Sequence, residues 1–195
     1  MPTLDIALGG QRYAGAAVEV AGFLALVPTL SMLAAWHVLG CIATAGWTFA
    51  VDALVVLPAF YFFDRARFRK HVLAMVLFAA FSGLVVTATK IAVDRQRPPE
   101  YFASLGIDMH VPGAVPVDKS FPSGHTQIAF AIAVYLSCIY RSYALLFLLV
   151  AGLVGLSRIA LGVHFPVDVA AGACIGAVFS LGGYRWAMRK QKHPT

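Results

Sequence analysis

The chain has 195 residues, of which 60% are hydrophobic and only 12% charged, with a formal net charge of +6. A soluble domain carries about 45–50% apolar and about 25% charged residues, so this composition cannot build an ordinary wet surface. It excludes a soluble monomer, a disordered chain and a nucleic-acid-binding domain of the usual kind, and it points to a polytopic membrane protein of one domain.

A membrane-crossing helix needs about 20 mostly apolar residues, and six segments approach that length. Residues 20–39 are uncharged, and residues 48–63 carry Asp52 alone. Residues 1–20 show no basic–apolar–cleavage pattern, so the first apolar segment is the expected insertion signal. Residues 72–89 are uncharged. The connection 90–119 is the one long one, and Pro98, Pro99, Pro112 and Pro116 keep it from being a continuous helix. A loop of that length in a compact protein is usually functional or disordered. Residues 120–140 are uncharged with His125 near their start, residues 142–156 are uncharged and extend to about 161, and residues 165–184 carry only Asp168. Lipid offers the backbone no hydrogen bonds, so these segments predict α-helices. The expected fold class is all-α, an integral membrane bundle of six transmembrane helices. The three cysteines, Cys41, Cys138 and Cys174, lie far apart in apolar sequence and read as buried free thiols.

With the N-terminus inside, ten of the 15 Lys and Arg residues fall on the inner side, Arg65, Arg67, Arg69 and Lys70 among them. That is the sense of the positive-inside rule, and it predicts cytoplasmic N- and C-termini. Five cations are left on the outer side: Lys90, Arg95, Arg97, Lys119 and Arg158.

Three clusters then meet at the outer ends of the third to sixth segments: Lys90 to Pro98, Phe121 to His125, and Ser157 to Asp168. Lys90, Arg97 and Arg158 form a tri-cationic pocket that needs an anion, and a phosphoryl group suits the planar fork of Arg and the point charge of Lys. Ser123 and Gly124 begin the fourth segment, where free backbone N–H groups of a helix N-terminus attract anions and glycine permits close approach. His164 and Asp168 are spaced i, i+4. The carboxylate can hold one ring nitrogen protonated and leave the other as a nucleophile. His125 is then available as a general acid on the leaving oxygen. The acids on the outer side are scattered, and neither a metal nor another cofactor is expected.

The patterns Lys90-x6-Arg97-Pro98, Pro122-Ser123-Gly124-His125 and Ser157-Arg158-x5-His164-x3-Asp168, in this order, resemble the signature of the type 2 phosphatidic acid phosphatase superfamily, which also includes vanadium haloperoxidases. The resemblance covers the third to sixth segments. It implies a metal-independent lipid phosphate phosphatase with its site at the outer membrane interface. It also implies a phosphohistidine on His164, with His125 protonating the leaving group and afterwards activating water. The expected substrate is a lipid phosphate or pyrophosphate, best an undecaprenyl pyrophosphate; phosphatidylglycerophosphate, phosphatidic acid and lipid A phosphate are rivals. A lipid-to-lipid phosphotransferase would use the same residues and differ only in its acceptor. A transporter would place polar groups near the bilayer midplane and repeat its halves, which this charge distribution does not do. The expected partners are the substrate and membrane lipids, without nucleic acid.

Other polar residues have blander expectations. His37, His71 and His193 read as interfacial anchors, Arg95 as a further phosphate contact or a headgroup contact, and Lys119 as a solvated loop residue. His110 and Asp52 stay open between structural and site-facing roles. Asp168, Gly172 and Gly176 recur every four residues on one helix face, which predicts close helix packing beneath the site.

Overall fold

A computed structural model describes Pro58, Tyr61, residues 65–107, Met109, Val111 and residues 117–189. The first predicted span, nearly all of the second, Asp52, His37, His110, His193 and Cys41 lie outside the described residues. Among those described, the secondary structure is entirely helical: α1 is Phe68–Val93, α2 Pro98–Ser104, α3 Gly124–Ile139, α4 Ala144–Ala160 and α5 Pro166–Met188, with a 3₁₀ turn at Arg141–Tyr143.

The third predicted segment is longer than its uncharged core. α1 has 26 residues, or about 39 Å at 1.5 Å per residue, so Lys90 lies in its last turn and not in the connecting loop. The helix stops where Asp94 takes a left-handed conformation (φ 48°) and its N–H returns to the carbonyl of Lys90; Asp is one of the few side chains that tolerate that region. Pro98 then opens α2, where a missing N–H costs nothing. The predicted long loop therefore contains a seven-residue helix. Phe102 of α2 is fully buried and packs with Ile159 and Phe165 under the site.

Three stretches, Phe68–Ser104, Arg141–Ala160 and Pro166–Met188, hold helices long and apolar enough to cross a membrane. α3 has only 16 residues, about 24 Å by helix rise, and it sits between α1, α4 and α5. The burial pattern is that of a bundle in lipid. α5 turns Asp168, Gly172, Gly176, Ser180, Gly183 and Ala187 inward, while Val178 and Leu181 face out; on α4, Leu145, Leu149 and Val150 do the same. Small inward residues let backbones approach where lipid supplies no hydrophobic drive between helices. A Cβ on Gly172 would overlap the carbonyl oxygen of Ser123, and one on Gly176 that of Gln127. The glycine stripe is thus the contact that seats α5 against α3, as the sequence spacing predicts.

Polar side chains within the bundle satisfy one another. Gln127 Nε2 donates to Ser82 Oγ at 2.7 Å, and Ser180 Oγ donates to the carbonyl of Ala131 at 2.7 Å. His71 is not an interfacial anchor. It is 1% exposed, and its Nδ1 lies 3.0 Å from the hydroxyl of Tyr135.

Candidate active site

The antiparallel path of the helices brings the end of α1, the starts of α3 and α5, and the end of α4 to one end of the bundle. All the residues singled out from the sequence for phosphoryl chemistry lie there: Lys90, Arg97, Ser123, Gly124, His125, Arg158, His164 and Asp168. The seven basic residues Arg65, Arg67, Arg69, Lys70, Arg141, Arg185 and Arg189 lie at the start of α1, the 3₁₀ turn and the end of α5, which form the other end.

Asp168 joins several elements of the site. It is fully buried on the first turn of α5. Its Oδ2 accepts the backbone N–H of Phe165 at 2.9 Å and the hydroxyl of Ser120, and it lies 3.6 Å from His164 Nδ1. Its Oδ1 takes the Arg95 guanidinium at 3.1 Å. Arg95 also stacks over the Phe165 ring, 4.3 Å from its centroid. Arg95 thus secures the carboxylate behind His164. The sequence does not foretell the pairing of Arg95 with Asp168, nor that of Ser120. An unpaired buried carboxylate is costly, which is the signal that such partners had to exist.

His164 lies in the short connection between α4 and α5 and is 3% exposed. Nδ1 faces the carboxylate, and Nε2 lies 3.4 Å from Nη1 of Arg97, which can only donate. Both neighbours favour the neutral tautomer with hydrogen on Nδ1 and the lone pair on Nε2. Burial holds the imidazole below its ordinary value; the Asp168 carboxylate, 3.6 Å from Nδ1, opposes this, and the charges of Arg97 and Lys90 reinforce it.

The cations are held in different ways. Arg97 is 2% exposed. Its Nε donates to the Asp118 carbonyl at 2.7 Å, its Nη1 to the Val163 carbonyl at 2.8 Å, and its Nη2 to the Asp118 carboxylate. Lys90 Nζ contacts the other Asp118 oxygen at 2.9 Å and the carbonyl of Lys119. Asp118 is therefore not a scattered bystander but sits between two of the three cations. Burial raises the Asp118 carboxyl, but Lys90 and Arg97 outweigh it and leave the group below the usual carboxylate value. Lys119 is half-exposed and pairs with Asp94 at 2.7 Å. Arg158 is 2% exposed. Its Nε reaches Ser157 Oγ at 3.3 Å, while its Nη2 is buried without a hydrogen-bond partner.

The start of α3 completes the end of the bundle. Ser123 Oγ caps the helix, accepting from Thr126 N–H at 3.5 Å and Thr126 Oγ1 at 3.0 Å, and its own N–H donates to the Asp168 carbonyl at 2.9 Å. Beside Gly124 there is open space where a Cβ would point, in contrast to Gly172 and Gly176. His125 is exposed on the first turn and lies within electrostatic reach of Arg158, His164, Arg97 and Asp118.

Known proteins resemble this chain to different extents. The chain is 33% identical over 187 residues to a decaprenylphosphoryl-5-phosphoribose phosphatase of Mycobacterium tuberculosis, covering 90% of this chain and 94% of the relative. It is 29% identical over 133 residues to undecaprenyl-diphosphatase BcrC of Bacillus subtilis, covering 68% of this chain and 66% of the relative. It is 35% identical over 102 residues to a lipid A 1-phosphatase of Rhizobium johnstonii, covering 52% of this chain but only 41% of that longer relative. In fold it matches the crystal structure of a transmembrane PAP2 type phosphatidylglycerolphosphate phosphatase from Bacillus subtilis with a TM-score of 0.65 at 22% identity, over 93% of this chain and 91% of that one. The family model for the PAP2 superfamily matches residues 71–192, a stretch that takes in all three sequence patterns, and the chain belongs to that superfamily.

Proposed function

We propose that this membrane protein removes a phosphoryl group from a polyprenyl-anchored phosphate or pyrophosphate, with undecaprenyl pyrophosphate as the leading substrate, through a phosphohistidine on His164. The observation that carries the reading is Arg158: a buried guanidinium with an unpartnered Nη2, at the same end of the bundle as two further cations. Leaving a charged donor unpaired costs several times an ordinary hydrogen bond, and a phosphoryl oxygen would satisfy it.

In the proposed reaction, the Nε2 lone pair of His164 attacks phosphorus, and the bond to the leaving oxygen breaks. Protonated His125 gives its proton to that oxygen. Asp168 holds the Nδ1 hydrogen and balances the positive charge that grows on the ring. Lys90, Arg97 and Arg158 stabilise the transferring oxygens, the term that usually dominates such catalysis, and the N-terminal amides of α3 at Gly124 and His125 add donors. Ser123 caps the helix that presents them. His125, now neutral, takes a proton from water as the water oxygen attacks phosphorus and the P–N bond breaks. Inorganic phosphate leaves and His164 is neutral again. The three cations would repel a divalent metal, so a metal-independent reaction fits this pocket.

A second reading is favoured by the M. tuberculosis relative, which matches along nearly the whole of both chains: the substrate phosphate is a monoester on a sugar carried by a polyprenyl phosphate. Phosphate release by the purified protein from both lipids, and from phosphatidylglycerophosphate, phosphatidic acid and lipid A, ranks these substrates. Orthovanadate should inhibit and a chelator should not. Phosphate release by His164→Ala at the parental rate would refute the phosphohistidine. Transfer of phosphate to a second lipid instead of water would identify a phosphotransferase.

The proposed arrangement is six spans in the plasma membrane with both termini cytoplasmic; its sidedness, with the site outside, is supported by the seven basic residues gathered at the end opposite the site. In a cysteine-free background, Val117→Cys, at a fully exposed position, should react with an impermeant thiol reagent added outside intact cells. Reaction only after lysis would reverse the topology.

A further inference from the structure

Two of the three cations already hold an anion, and it belongs to the chain. One Asp118 oxygen meets Arg97 Nη2 and the other lies 2.9 Å from Lys90 Nζ. A carboxylate bridging an Arg and a Lys has the geometry that two oxygens of a phosphoryl group would adopt. The donor inventory makes the overlap concrete. Arg97 has five N–H groups. One is used by the Asp118 carbonyl, one by the Val163 carbonyl, one by His164 Nε2 and one by the Asp118 carboxylate. A single N–H on Nη2 is left, so a two-pronged grip on phosphate through Nη2 is open only once the carboxylate has moved.

The position of these cations does not depend on the carboxylate. Backbone carbonyls of the same segment hold both: Asp118 O takes Arg97 Nε, and Lys119 O takes Lys90 Nζ. The segment is itself tied down just after Asp118. Ser120 N–H donates to the Arg95 carbonyl at 2.9 Å, and Lys119 pairs with Asp94. The Asp118 side chain, by contrast, is 55% exposed and can swing into solvent. Backbone thus supplies placement, and the carboxylate supplies only charge and occupancy.

We propose that Asp118 is a tethered competitor for the phosphate site, a specificity- and turnover-determining residue that occupies Lys90 and Arg97 when phosphate is absent and that substrate must displace. The assignment rests on the reading of Lys90, Arg97 and Arg158 as phosphate ligands. In the resting protein the carboxylate relieves repulsion between two cations whose burial leaves them poorly screened. During turnover it swings out, and its return helps expel inorganic phosphate. The same competition discriminates against weakly held anions: a group must bring enough charge to outbid a carboxylate that is already there.

The test is direct binding of inorganic phosphate and of orthovanadate to the purified, detergent-solubilised full-length protein, by calorimetry and by the rise in unfolding temperature with ligand. Asp118→Asn removes the charge and leaves both carbonyl contacts. It should bind either anion about three- to tenfold more tightly, the modest size reflecting a half-exposed ion pair, and phosphate should become a correspondingly stronger product inhibitor. Equal or weaker binding by a folded Asp118→Asn protein overturns the proposal, because a residue that merely positions the cations would lose affinity when removed. Asp118→Ser makes the same prediction and serves if the Asn variant does not fold. Arg158→Gln separates the two levels of inference. If it leaves phosphate affinity unchanged, phosphate does not bind here and the site reading fails. If it weakens binding while Asp118→Asn does not strengthen it, the competitor alone fails.

Discussion

The two ends of this bundle are built from the same helices and solve opposite problems. At the site end, buried ionisable groups are joined in one network: Asp168 to Arg95, Ser120 and His164, and Arg97 to His164 and Asp118. At the other end, Ala74, Tyr135, Leu136 and Ala187 form an apolar core, flanked by Phe68, Ile139, Phe147 and Tyr184. There His71 pairs with Tyr135 in a buried contact, and the described cations stay on the rim, with Arg65 over the Tyr61 ring. The difference teaches where each residue type is affordable. Charges are buried only where each finds a partner or, like Arg158, is held ready for one. Packing carries the end that needs no chemistry.

The sharpest break in this comparison is His164→Ala. It should lower turnover by about a thousandfold or more, because a covalent route is lost, while the unfolding temperature in detergent changes little, since the opposite end is untouched. Substantial residual activity would mean that the network serves structure and not catalysis. Next in size is Gly176→Val, between the two ends. A branched side chain there meets the Gln127 carbonyl and the Ala131 amide of α3. Overpacking against backbone should cost about 3 kcal/mol, read as a loss of unfolding temperature, with activity falling because α5 can no longer seat Asp168. A variant of unchanged stability and activity would show that the close approach of α3 and α5 is dispensable.

Arg95→Gln probes the network without touching the reacting atoms. Its expected effect is a tenfold to hundredfold loss in kcat with KM nearly unchanged, about the size seen when outer-shell partners of a functional group are removed. The pH profile separates positioning from mere structure. His164 must be neutral to attack. Burial keeps its pKa below the ordinary 6.5, with Arg97 and Lys90 adding to the effect and Asp168 opposing it, so the parental acid limb should lie below pH 6.5. Removing Arg95 leaves Asp168 more negative, which favours the imidazolium and moves that limb to higher pH. An acid limb that stays fixed would show that Arg95 does not act through Asp168.

The same contrast explains what was legible in the sequence. Residues assigned to the proposed reaction fall in three short sequence patterns, so Lys90, Arg97, His125, Arg158, His164 and Asp168 could be picked out and placed at one end. The glycine stripe of α5 was legible for a similar reason, a strict period of four on one helix. Asp118, Arg95 and Ser120 were not. Their roles arise from contacts across the fold, Arg95 reaching 73 residues to Asp168 and Ser120 reaching 48. Helix boundaries shifted for a local reason. Hydropathy ends at the first charge, whereas α1 runs on through Lys90 until Asp94 turns left-handed. His71 was misread because charge and position suggested an interface, while its partner Tyr135 lies 64 residues away.

The smallest expected effect lies at the quiet end. Tyr135→Phe keeps the ring and its edge-to-face contacts with His71 and Tyr184 and removes only the hydroxyl that His71 Nδ1 meets at 3.0 Å. An imidazole nitrogen left unsatisfied in a buried site should cost about 1–2 kcal/mol, seen as a fall of a few degrees in unfolding temperature. kcat and KM should stay at parental values, because the hydroxyl lies on the far half of α3 from Ser123. If kcat falls as steeply as stability, the two ends are coupled through α3, and their division into a reactive and a packing end is wrong. If stability alone falls, α3 carries the load of packing at one end and presents its amides at the other without transmitting one to the other.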